Sequence, residues 1–518
     1  MSCKGTEPLA FPITDVQILP DNSESLTKGI PAGVGTPRQN IVFLPWPELN
    51  NTWIYDERPY CDASIIFNDV ICQVRRGNLY SGANSSSFRK VEDIPSAGGA
   101  PVETQGKGAE LGIDTLLTSS LAVQDGLDIG AVEVSGTFPF GVPRLSWDHG
   151  YTISHAMGLG SNSTLLNTLV RTGRISSRVW SIFWGRMWVG PEDAVDGSLV
   201  LGGYDERKVI GKNYTQPLDF SDATGCWTGM KVHISSVRLN FRTGEDVELL
   251  PPNSAVDSCV VPQRQLLFEG PHFIIDAFED VTGMYSVGRS FGLHWSSYLF
   301  ESNEDVDIFD GDMTISLSSG LNVRIPNNQY LVPYVTVDRS GTRVFNTSQR
   351  EFLFNDVYDN PSTLGRYFLT GAYLMVNHDA GTFTMWAANP VREHTLVSVG
   401  STDAGTNCDN STQPGSSSDG SNTSASATLS AGRIAGVVIG AVAAFVIIGA
   451  GMYFFYARRR ERSKVSDTTN PSNASPGEKD ASGAPEQPHH HDVSYELHDG
   501  VVPELAGDEG PSGDVPKK

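Results

Sequence analysis

The chain has 518 residues, 39% hydrophobic and 19% charged, which is enough apolar content for two lobes around a sizeable buried core. A formal charge of −23 excludes non-specific nucleic-acid binding, because neutralising phosphates needs a basic face. The 53 Gly and 30 Pro punctuate short alternating segments and point to an all-β protein rather than a helical one.

Met1 to Glu7 contains no apolar h-region, so no secretory leader is visible at the start. A folded outer region needs one, and the expectation is that the authentic start lies upstream. The next informative stretch runs from Gly35-Thr36-Pro37-Arg38-Gln39 through Ile41-Val42-Phe43-Leu44-Pro45 to Trp46-Pro47-Glu48, and closes at Trp53. It resembles the opening of an A1-family (pepsin-like) aspartic protease, which reads G-T-P-x-Q, a strand, D-T-G-S-S and a closing Trp. Counting from Gln39 and from Trp53 puts the family's first catalytic Asp at Trp46, with Pro47 and Glu48 in place of Thr and Gly.

The resemblance recurs along the chain. Ser85-Ser86-Ser87-Phe88 stands for S-S-T-F, Gly158-Leu159-Gly160 for the end of the first lobe's core, and Asp196-Gly197-Ser198-Leu199-Val200-Leu201-Gly202-Gly203 for the approach to the second lobe. Leu364-Gly365-Arg366-Tyr367-Phe368-Leu369 and Tyr373 to Asp379 resemble the closing element. The resemblance implies a bilobal all-β fold, with an N-terminal lobe over 1–215 and a C-terminal lobe over 216–397. It also implies a cleft between them that takes an extended peptide by strand-type pairing.

Aspartic protease chemistry needs two carboxylates sharing one proton around a water. Trp46 is a donor only and cannot supply one. Glu48 sits where the family's Gly should be, so its carboxylate starts from a different place. In the second lobe Ser254-Ala255-Val256-Asp257-Ser258-Cys259 resembles A-x-D-S-G, which makes Asp257 the surviving dyad candidate; its plain reading is a turn aspartate. The flap between Phe88 and Asp114 carries several glycines but no Tyr, while Gly112-Ile113-Asp114-Thr115 resembles the flap's exit.

All six Cys (Cys3, Cys61, Cys72, Cys226, Cys259 and Cys408) precede a long apolar run. An even count without Cys-x-x-Cys spacing reads as disulfides, not as a metal site. The family resemblance suggests Cys61 with Cys72 as a hairpin staple, and Cys259 with Cys226 across neighbouring strands. No cofactor or metal is expected; the His489-His490-His491 run reads as a solvated tract.

Residues 398–433 shift to Ser, Thr, Gly and Asn and read as a stalk. The uncharged apolar run 434–457 is long enough to cross a bilayer as a helix. Arg458, Arg459, Arg460, Arg462 and Lys464 follow it, so the expected topology is single-pass with the C-terminus cytosolic. Gly432, Gly436 and Gly440 form a small-residue stripe suited to helix dimerisation. Asn50, Asn84, Asn162, Asn213, Asn346, Asn410 and Asn422 head N-x-S/T glycosylation sequons on the outer side. The tail, 458–518, is expected to be disordered.

These residues lead to a surface glycoprotein with a pepsin-like outer domain that lacks proteolytic activity and acts in peptide binding or surface sensing. Two rivals follow from the same sequence: an active aspartic endopeptidase, and a structural tether between cell wall and membrane.

Overall fold

Alternating apolar and polar residues make strands the main regular element of the described residues, giving an all-β architecture of several sheets with short helices between them. A computed structural model describes residues 6–400, apart from 59, 62–65, 67, 102–112, 146–153, 222–224, 303–307 and 358–360. Cys3, Cys408, Asn410, Asn422, Gly432, Gly436, Gly440, the apolar run 434–457 and the tail lie outside the described residues, as does nearly all of the stalk. Among the described residues no helix is long and apolar enough to cross a membrane.

The first three strands, β1 (Leu9–Gln17), β2 (Leu26–Val34) and β3 (Gln39–Trp46), pair antiparallel in sequence. They belong to a 12-stranded sheet whose central path also takes in Val179–Arg186, Val195–Leu201, Ala372–Asn377 and Thr382–Ala388. The last two return from late in the chain and tie its two halves together. An 8-stranded sheet is built from residues 231–364, beside a 4-stranded sheet from Ser286–Arg289 to Arg343–Phe352.

β3 shows why the site forms where it does. From Ile41 to Trp46 every residue is buried, the continuous apolar run of a strand covered on both faces. Its ladder to β2 ends at Ile30↔Phe43, and on its other side it runs parallel to His155–Gly158 with Trp46 opposite Gly158. Pro45 therefore falls beyond the β2 ladder, where its missing N–H breaks no bond.

Helix α1 (Asp69–Arg76) starts at Asn68, whose side chain accepts from the N–H groups of Val70 and Ile71, and stops at Gly77 with φ of 72°. Two disulfides are present, Cys61–Cys72 and Cys226–Cys259, with Cα separations of 6.0 and 5.3 Å. The first anchors the start of α1 to the loop after Trp53. The second joins the strand carrying Asp257 to the segment before Lys231.

Candidate functional site

Two parallel ladders end at the same kind of turn. After β3, the Trp46 carbonyl accepts from Leu159 N at 2.9 Å, and the Leu49 carbonyl accepts from Gly160 N at 2.8 Å. Gly158 has no room for a side chain: a Cβ there would lie 2.1 Å from the Asn51 carbonyl oxygen.

The second half of the chain repeats this arrangement. Strand Val256–Val260 runs parallel to Ser362–Leu364, Val261 N donates to the Leu364 carbonyl at 2.8 Å, and Arg366 N donates to Arg264 O at 2.9 Å. A Cβ on Gly365 would meet the Leu266 carbonyl oxygen at 2.3 Å. Asn51 and Leu266 stand in the same relation as Glu48 and Gln263, whose side chains meet across the two turns, with Gln263 Nε2 donating to Glu48 Oε2 at 3.2 Å.

The pairing matches Trp46-Pro47-Glu48 with Val261-Pro262-Gln263. Each half ends a buried strand in an apolar residue, then Pro, then Glu or Gln. The prolines fix φ at the same point in both turns. Trp46 and Val261 are fully buried, Pro47, Pro262 and Gln263 are buried, and Glu48 is half-buried. The two turns carry one carboxylate, that of Glu48, and its cross-turn partner is an amide.

Asp257 lies elsewhere. It pairs across an antiparallel ladder with His233, and its carboxylate meets Lys231 Nζ at 2.7 Å and the His233 ring. With 59% of its side chain exposed, it belongs to a solvent-facing ion cluster on the 8-stranded sheet. Partial burial raises its pKa, but hydrogen bonds from Lys231 and His233 outweigh that and hold it below the usual aspartate value. The repeat thus matches Val261, not Asp257, with Trp46. Asp257→Asn is expected to change stability by no more than about 1 kcal/mol in urea denaturation, as for other exposed pairs.

The remaining predicted residues are spread over the surface and core. Trp53 is buried and donates its indole N–H to Ser120 Oγ at 3.1 Å. Cys259 is bonded to Cys226 and sits one residue after Ser258, inside the ladder to Lys231. Asn84, Asn162, Asn213 and Asn346 are exposed, whereas Asn50 is half-buried and its Oδ1 accepts from Asn162 N at 2.8 Å. Of the segment read as a flap, 102–112 with Gly106, Gly108 and Gly112 lie outside the described residues; Ile113–Thr118 is helical and leads into strand Ser120–Ile129. Among the described residues no group of three or more His, Cys, Asp or Glu is placed to hold a metal.

Beside the twin turns the two halves line a partly open cavity of about 90 Å³. Thr27, Lys28 and Arg75 reach it from the first half, and His294, Arg343 and Arg366 from the second. Sequence reasoning missed both the cavity and Gln263. The signal for the latter was the repeated pattern of an apolar strand ending in x-Pro-Glu or x-Pro-Gln, at Trp46 and again at Val261. No protein-family model matches the chain, and no curated protein sequence matches it.

Proposed function

We propose that residues 1–397 form a pepsin-like domain, with lobes at 1–215 and 216–397, that has lost proteolysis and binds extended peptides between its lobes. One observation carries this reading. In the two matching turns, at the positions the resemblance gives to an aspartic dyad, the chain has Trp46 and Val261, and the one carboxylate these turns carry, that of Glu48, accepts from the amide of Gln263. A single carboxylate cannot divide base and acid roles between two groups.

Binding by main-chain pairing needs no dyad, so the loss of catalysis leaves a peptide-binding function intact. In this reading the apolar run 434–457 anchors the domain in a membrane with residues 1–433 outside and the tail in the cytosol.

The test is digestion of a peptide library by the full-length protein in mild detergent, between pH 3 and 6, with folding monitored at each pH by near-UV circular dichroism. No pepstatin-sensitive cleavage is expected. Pepstatin-sensitive cleavage that is lost in Glu48→Gln or in Asp257→Ala would overturn the reading in favour of an active endopeptidase.

A further inference from the structure

The cavity beside the twin turns carries an imbalance of charge. Lys28, Arg75, Arg343 and Arg366 all line it, and none of the described residues that line it is Asp or Glu. Some of this positive charge is answered from behind. Arg343 makes a two-pronged pair with Asp15, at 2.9 and 2.8 Å, and His294 Nδ1 lies 2.5 Å from the buried Glu351 carboxylate.

Arg366 has no such answer. Its guanidinium donates to the Gln263 carbonyl at 2.6 Å and the Arg264 carbonyl at 3.1 Å, and lies 5.0 Å from the centre of the Trp184 ring. Among the described residues no carboxylate pairs with it. Burial pushes its pKa down to about 10, and burial likewise lowers that of Lys28 against the pull of Asp15 and Asp196. Both groups would gain from an anion brought into the cavity, since an ionised donor makes its strongest bonds to an ionised acceptor.

We propose that this cavity is a binding site for a carboxylate group, held between Arg366 on one half of the chain and Lys28 on the other. The volume holds several waters' worth of ligand, enough for a carboxylate on one or two methylenes. Apolar walls from Leu44, Val74, Leu293 and Val337 suit such a stem better than a fully hydrated phosphate. The site stands on the cavity's own charge. That its natural occupant is the acidic side chain or the C-terminus of a bound peptide rests on the peptide-binding reading above.

The experiment measures binding of glutarate, glutaramide and inorganic phosphate to the full-length protein in mild detergent, by calorimetry and thermal shift. Glutarate is expected to bind and glutaramide not to. Lys28→Gln, a change at a half-buried position, should weaken glutarate about tenfold, the loss of one charged hydrogen bond. Arg366→Gln should weaken it at least as much. Arg366 also braces the 263–264 carbonyls, so its variant is read only where its unliganded melting matches wild type, and otherwise Lys28→Gln alone decides.

Equal behaviour of glutarate and glutaramide, or unchanged glutarate binding in Lys28→Gln, would overturn the proposal, as would phosphate binding more tightly than glutarate. Three capped peptides separate the sources: Ac-Ala-Glu-Ala-NH2, Ac-Ala-Gln-Ala-NH2 and Ac-Ala-Ala-Ala-OH. Preference for the first assigns the site to an acidic side chain, and preference for the third to a C-terminus. Glutarate binding with no peptide binding upholds the carboxylate site and counts against the peptide-binding function.

Discussion

Trp46→Asp is expected to lower stability by at least about 4 kcal/mol and to create no protease. Trp46 is fully buried at the end of β3, inside the main core and against the turn that Gly158 lets approach so closely. Removing a large core aromatic typically costs about 3–5 kcal/mol, and the incoming carboxylate adds the cost of burying a charge. Trp46→Phe keeps an aromatic ring in the core and should lose less. Urea midpoints for the two variants measure both effects.

Catalysis should not appear, because the matching turn offers Val261 and Gln263 and no carboxylate, while Glu48, two positions on from the new acid, already accepts from Gln263. Peptide cleavage appearing in the single Trp46→Asp variant would show that another group completes the pair.

Acid should destabilise the domain well before its carboxylates titrate. His155 is fully buried, with Nδ1 accepting from Tyr55 N at 2.9 Å and Nε2 facing the Asn78 carbonyl at 3.1 Å. Burial, with the Arg76 charge adding to it, pulls its pKa from 6.5 down to about 3 despite the Asn78 bond. Burial likewise brings His378 down to about 4, the Leu159 carbonyl and Asp379 opposing and Arg178 assisting.

The sign follows from proton counting. Both rings are neutral when folded and protonate near pH 6.5 when unfolded, so their stabilisation is complete above about pH 6.5. It is lost as pH falls, because the unfolded chain binds two more protons. At about 1.4 kcal/mol per pH unit for each ring, the loss between pH 6.5 and 4 comes to roughly 5 kcal/mol. Urea unfolding at pH 7, 5.5 and 4.5 measures it, and His155→Asn, which retains an acceptor near the Tyr55 N–H, should remove one proton's worth of slope. A flat stability profile over that range would refute the account.

Much of the scaffold was legible along the chain. The continuous apolar run before Trp46 marked a doubly covered strand, and the even cysteines marked disulfides, two of which the fold contains. Those features are local, or depend on parity alone. Asp257-Ser258-Cys259 shows what local reading misses. Its letters resemble a catalytic triplet, but the period-two alternation of a strand turns Asp257 outward, to Lys231 and His233, and Ser258 inward, while Cys259 is covered through its disulfide to Cys226.

The residue that matches Trp46 in the second half is set by a parallel register with Ser362–Leu364, about a hundred positions further on, and no local pattern encodes such a register. The same holds for the cavity. Lys28, Arg75, Arg343 and Arg366 are ordinary basic residues in sequence, and their convergence is visible only once the sheets from both halves of the chain close around one space. Sequence alone determined the all-β character and the buried apolar strand that ends in Trp46. Tertiary structure decided that Val261 holds the matching place in the second half, that Gln263 meets Glu48, and that positive charge gathers beside them, because long-range strand pairing and packing bring those segments together.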